Sequence, residues 1–61
     1  MISTVKFIIR RAVNSQYYWV LKAANNETVA VSECYMTEWG ATHSVERVIE
    51  LASIATIESE T

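Results

Sequence analysis

A chain of 61 residues with 51% apolar and 20% charged content has the make-up of one folded domain, here residues 1–61, and not of a disordered segment. At this length folding hides only about 60% of the surface the unfolded chain exposes, and a single cysteine excludes an internal disulfide, so a second subunit is the expected source of added stability. A formal net charge of -2 and a pI near 5.2 give no broad attraction for phosphate backbones or anionic lipid.

The opening MISTVKFIIRR holds a short apolar run, but Lys6, Arg10 and Arg11 interrupt it and no small-residue cleavage site follows, so no signal peptide is expected. No stretch approaches the roughly 18 consecutive apolar residues of a membrane span. The expectation is a soluble, cytoplasmic protein with no membrane partner, and the lone thiol agrees.

Val5, Phe7 and Ile9 alternate with Lys6, Ile8 and Arg10, which predicts a strand over residues 4–11 with one buried face. Asn14 and Ser15 are polar turn formers between this run and the next. A two-residue loop there sets Ile9 opposite Val20, whereas an odd loop sets Ile9 opposite Trp19 and Phe7 opposite Leu21. The odd loop is preferred, because it gathers Phe7, Ile9, Trp19 and Leu21 on one face, and a three-residue loop with a bulge supplies it. Asn14 is the residue expected to take the left-handed conformation.

The stretch YYWVLKAANNETVAVSECY carries the strongest hairpin signal, two β-rich runs flanking Asn25 and Asn26. It predicts strands over residues 17–24 and 27–34. A two-residue loop at Asn25 and Asn26 pairs Leu21 with Ala30, Trp19 with Ser32 and Tyr17 with Cys34. Small residues then oppose large ones, leaving room for a helix on that face. The other face carries Tyr18, Val20, Val29 and Val31, diluted by Lys22, Glu33 and Arg10. Isolated valines on strand surfaces are ordinary, yet apolar patches of this kind also serve as binding surfaces. The candidate interaction surface is therefore Tyr18, Val20, Val29, Val31, Lys22 and Arg10.

Thr37 is a fitting N-cap for a helix over residues 38–51, with Glu38 at the positive end of its dipole. Ala41, Val45, Val48, Ile49 and Ala52 recur at three- and four-residue steps as the stripe that meets the sheet. His43, Glu46, Arg47 and Glu50 face elsewhere. β-Branched residues return after the helix, which predicts a fourth strand over residues 54–58. Only Ala52 and Ser53 separate it from the helix, a connection short for reaching a free edge of its own sheet. A strand so placed suits donation to a partner. The expected core is Phe7, Ile9, Trp19, Leu21, Ala41, Val45, Val48 and Ile49.

The run FIIRRAVNSQYYWVLKAANNETVAVSECY followed by TEWGATHSVERV, within residues 7–48, resembles the YegP-like family of small uncharacterised proteins. The most specific part is Tyr-x-Trp-x-Leu-Lys-Ala-Ala-Asn at residues 17–25, supported by Ala30, Ser32, Glu33, Tyr35, Ala41 and Val48. The resemblance implies an α+β fold, a βββαβ unit with one helix packed on an antiparallel sheet. In single-unit members it implies a homodimer whose subunits share a sheet and exchange C-terminal strands. It implies no activity. The family usually has glycine at the positions of Ser15, Asn26, Cys34 and Ser44, and lysine at that of Glu38.

The inventory for chemistry is thin. Cys34 has no histidine–cysteine spacing around it, and with His43 it does not complete a tetrahedral zinc site; Glu33 beside it disfavours a reactive thiolate. His43 and Glu46, one helical turn apart, form an ordinary surface pair more readily than half of a metal site shared between subunits. With no aspartate, one histidine and one glycine, most acid–base, triad and phosphate-loop arrangements are missing. Tyr17, Tyr18, Trp19 and Tyr35 beside Lys6, Arg10, Arg11 and Lys22 have the parts of a single-stranded nucleic-acid platform, although the net charge is negative and Trp19 is assigned to the core. The expectation is a non-enzymatic structural or interaction module acting as a homodimer, with no cofactor, metal or catalytic residue. The alternative is a small-ligand or single-stranded nucleic-acid binder using the aromatic and basic sheet surface.

Overall fold

The alternation around Phe7 and Ile9 does produce a strand, β1, over Lys6–Arg11. The structure, a computed structural model, describes residues 5–60, so Thr4 of the expected first strand lies outside the described residues. The strand β2 spans Tyr17–Lys22 and β3 spans Thr28–Val31. They form one antiparallel sheet in the order β1-β2-β3. The helix α1 spans Glu38–Ala52, giving a βββα arrangement of the α+β class.

Between β1 and β2 the register sets Phe7 opposite Leu21 and Ile9 opposite Trp19, as the odd loop predicts. The loop is a turn closed by Ser15 N–H to Ala12 O at 3.1 Å, and Ala12 N–H reaches Gln16 O at 2.7 Å. Three residues therefore bridge the strands. The left-handed position falls on Ser15, at φ 66°, and not on Asn14. Asn14 instead uses its side chain, accepting from Gln16 N–H at 3.2 Å, the local bond that favours asparagine in turns.

The second turn repeats this plan. Asn26 N–H bonds Ala23 O at 2.9 Å, Ala23 N–H bonds Glu27 O at 2.8 Å, and Asn25 Oδ1 accepts from Glu27 N–H at 3.1 Å. Asn26 takes φ 70°. The loop is thus three residues long, where two were expected. A bulge between Leu21 and Lys22 absorbs the extra residue, so Lys22 faces Thr28 while Leu21 still faces Ala30. Ser32 N–H still bonds Trp19 O at 3.0 Å. Beyond it the chain slips once more, and Tyr17 meets Tyr35, bonded in both directions at 2.7 and 2.6 Å, where Cys34 was expected. These two irregularities cut β3 to four residues.

Thr37 caps α1 as predicted, its Oγ1 accepting from Gly40 N–H at 2.9 Å with Glu38 in the first turn. Gly40 keeps this corner close: a Cβ there would stand 3.2 Å from Thr37 Oγ1. The helix packs on β2 and β1 through its Ala41, Val45 and Val48 side. Ala41 is fully buried and Trp19 nearly so, while Phe7, Ile9, Leu21, Val45 and Val48 are half-buried. Ile49 departs from the expected core and is 56% exposed, since it lies on the flank of the stripe and no further element among the described residues covers that side.

Trp19 ties the layers together. Phe7 meets its ring edge-on with centroids 5.2 Å apart. Its Nε1–H donates to Ser44 Oγ at 3.1 Å, and the Tyr35 hydroxyl shares the same oxygen at 2.8 Å. Its backbone N–H donates to Ser32 Oγ at 2.9 Å.

Residues 54–58, expected as a fourth strand, are neither helix nor strand in this chain. Ile54 and Ala55 N–H still bond Leu51 and Ala52 O at 3.2 and 3.4 Å, prolonging the helix end. Ile54 and Ile57 stand 76% and 100% exposed.

Two stability changes follow. Ser15→Gly should raise the unfolding free energy by about 0.5–1 kcal/mol, the relief of a left-handed serine less the added freedom of glycine; chemical denaturation measures it. Ser44→Ala should lower it by about 1–2 kcal/mol, because a buried indole N–H loses its acceptor. An unchanged urea midpoint would remove Ser44 from its bridging role.

Candidate functional site

The register sorts the side chains into two faces. Phe7, Ile9, Arg11, Tyr17, Trp19 and Leu21 share the face under α1, and Lys6, Ile8, Arg10, Tyr18, Val20 and Lys22 share the outer one. Across the outer face Lys6 stands opposite Lys22, Ile8 opposite Val20 and Arg10 opposite Tyr18, with Val31 beyond Val20. A central apolar row is thereby flanked by cations.

The six residues of the candidate surface do not form one accessible patch. Val20 is only 6% exposed. On the middle strand it is enclosed by Ile8 and Val31 across the sheet and by Tyr18 and Lys22 along it, so it is the floor of this face and not a contact residue. Tyr18 and Lys22 are half-buried. Lys22 Nζ donates to Thr28 Oγ1 at 2.8 Å and to Asn26 O at 3.4 Å, holding the second turn. Arg10 is exposed. Val31 lies at the β3 edge, and Val29 is the extra residue of the bulge; both are about 60% exposed.

Arg11 belongs to the other side. Its guanidinium donates to the Tyr17 hydroxyl at 2.8 Å and lies 5.3 Å from that ring's centroid. The Tyr17 hydrogen bond raises the Arg11 pKa above its ordinary value, with the Glu38 charge adding to it. Tyr17, Trp19 and Tyr35 thus lie on the helix side, with Trp19 and Tyr35 bound to Ser44. Only Tyr18 shares a face with Lys6, Arg10 and Lys22. The expected stacking platform is divided by the sheet itself.

Cys34 is an exposed free thiol. His43 Nδ1 approaches Glu46 at 3.9 Å, and its ring stacks on the exposed Trp39 with centroids 4.9 Å apart. Arg47 pairs with Glu50 on the same outer side of the helix. Among the described residues no three metal-ligating side chains cluster and no cavity is enclosed. The roles of Ser44 and of the Trp39–His43 stack were missed in the sequence. Four-residue spacing signals the second, whereas nothing marks a helical serine as the acceptor for a distant indole.

The sequence profile of a domain of unknown function, DUF1508, matches residues 12–59. The chain belongs to that family. The YegP-like resemblance carried by residues 7–48 is a resemblance to the same family. Among solved structures, the DUF1508 chain is similar to an NMR solution structure of a protein from Haloferax volcanii, at 22% identity and a TM-score of 0.84, covering 95% of this chain and 98% of that one. At that identity the likeness shows the fold. No curated protein matches. No specific function is attached to the family, and no helix among the described residues of this DUF1508 member is long and apolar enough to cross a membrane.

The division of aromatic and basic groups between two faces bears on nucleic acid. A titration with mixed single-stranded oligonucleotides at low salt should leave tryptophan emission unchanged through the high micromolar range; saturable quenching would restore the platform reading.

Proposed function

We propose that the protein is a non-enzymatic interaction module that works as a cytoplasmic homodimer, in which each subunit gives residues 54–58 to its partner's sheet. The observation that carries this reading is unburied surface. The chain leaves 5129 Å² accessible, where a compact monomer of its mass exposes about 4000 Å². The surplus of about 1100 Å² is on the scale of the roughly 800 Å² that each partner contributes to a stable interface. Its apolar part is explicit: among the described residues three hydrophobic side chains are buried, while Val5, Ile49, Leu51, Ile54 and Ile57 are among the large ones left exposed. A radius of gyration of 13.2 Å, against about 10.5 Å for a compact domain of this length, agrees.

Cofactor-free, non-catalytic action fits the scattered placement of Cys34, His43 and the carboxylates, none of which is set beside a nucleophile, base and oxyanion donor together. A cytoplasmic setting fits a single exposed thiol.

Light scattering on the full chain and on a version ending at Ser53 tests the reading. The full chain should scatter as twice 6.9 kDa, and the shortened one should lose the dimer. A full-length chain that is folded and monomeric at all concentrations overturns it.

A further inference from the structure

Resting on the reading as an interaction module, we infer that the outer face of the sheet is the docking surface for an acidic amphipathic helix of another protein. The helix lies along β2, with its apolar stripe on Ile8, Val20 and Val31 and two of its carboxylates on Lys6 and Arg10.

This face differs in charge from the rest of the chain. Seven acidic side chains outnumber five basic ones overall, yet Lys6, Arg10 and Lys22 share the side away from α1. Arg11 is held by Tyr17 behind the sheet, and Arg47 is paired with Glu50 on the helix. Lys22 is held at the second turn by Thr28 and Asn26. Lys6 and Arg10 are both exposed, and the ion pairs among the described residues include neither of them. Lys6 also stands directly opposite Lys22, a like-charge pair that destabilises a sheet and that a bound carboxylate relieves.

Apolar surface lies between and beside these cations. Ile8 sits between Lys6 and Arg10 on β1, and Val20 is the floor next to it. On β3, Val29 and Val31 stand 60% and 59% exposed, where a solvated sheet face ordinarily carries polar side chains. Growth of a sheet at its edge covers neither face, so this surface stays open in the homodimer as well.

The dimensions select a helix. Neighbouring strands lie about 4.8 Å apart, so β1 and β3 are separated by roughly 10 Å, close to the width of a helix with its side chains. Lys6 and Arg10 flank Ile8 at alternate positions of one strand, which sets their Cα atoms about 13 Å apart. Carboxylates two turns apart on a helix running parallel to β1 are separated by about 11 Å, within reach of both long cationic side chains. Docked so, the helix makes the sheet the middle of three layers.

Other occupants fit less well. Outer faces of two copies set like charges against one another. Bases need aromatic rings to stack on, and of the β2 aromatics only Tyr18 is on this side. Anionic lipid is recruited by clusters of about four to eight basic residues, more than this face holds in a chain of net charge -2.

The test is an NMR titration of the full-length protein with a synthetic peptide of about 20 residues, long enough to be helical alone, whose leucine stripe is flanked by glutamates two turns apart. Its twin carries lysines in their place. The glutamate peptide should shift the amide signals of Ile8, Arg10, Val20 and Val31 and leave those of α1 unmoved, and the lysine peptide should not bind. Lys6→Glu and Arg10→Glu should each weaken binding roughly fivefold at low salt and less at high salt, and the double variant should prefer the lysine peptide. Lys6→Glu places opposite charges across from Lys22, so its loss of binding is not a loss of fold. Light scattering on the same variants should still give twice 6.9 kDa. A dimer that binds neither peptide, binds both alike, or shifts only at α1 overturns this site and leaves the dimer standing. Binding of mixed oligonucleotides or phosphatidylserine vesicles that Arg10→Glu abolishes, with the glutamate peptide unbound, overturns the acidic helix as occupant. Growth in mass beyond the dimer that Arg10→Glu abolishes overturns it in favour of a second copy. A monomer that binds the glutamate peptide through Lys6 and Arg10 keeps this site and refutes the dimer.

Discussion

The indole of Trp19 is where the layers of this small fold are joined. Phe7 of β1 meets its ring, its backbone N–H bonds Ser32 just after β3, and its Nε1–H bonds Ser44 of the helix. Tyr35, which ties the β3–α1 connection back to Tyr17, ends on the same serine oxygen. With three hydrophobic side chains buried among the described residues, packing alone contributes little. One amphipathic ring joins the layers by combining apolar area with a directed donor. Such a ring locates the helix along the sheet as well as above it, which aliphatic contacts do not.

Much of this was legible in the residues. The period-two pattern of Phe7 and Ile9 and the parity of Trp19 and Leu21 were enough to choose the first hairpin's register. Thr37 with Glu38 announced the helix start. The second loop was misread because Asn25 and Asn26 suit a two-residue turn as well as the three-residue one, and a bulge is invisible until the partner strand is seen. Ile49 was misread for a related reason: an apolar stripe says what wants cover, not which element supplies it. On the outer face, alternation placed Tyr18, Val20 and Lys22 together correctly. It gave no hint that Val20 would be enclosed by its neighbours, since burial depends on which strand is central.

The sheet also acts as a partition. Cations at Lys6, Arg10 and Lys22 are on one side, while Tyr17, Trp19 and Tyr35 are on the other with Arg11 drawn among them. Composition alone merges these groups into one basic, aromatic surface. The fold separates them, so the outer face offers charge around a sunken valine, and the aromatic groups serve internal cohesion. The features usually sought as a site thereby hold a very small fold together, and what remains open is strand edge and unburied isoleucine.

The two turns share one plan. Each is built as Ala-x-Asn-x followed by Gln or Glu, eleven residues apart, with asparagine bonding two residues ahead and the next residue left-handed. Their length sets which side of each strand faces the helix. Removing or adding one residue in the first loop would turn β1 inside out, bringing Lys6 and Arg10 under the helix and Phe7 into water. A change of two residues would keep the faces. Although both loops are exposed, where insertions are ordinarily tolerated, in this protein their tolerance should therefore alternate with the odd or even count of the residues inserted.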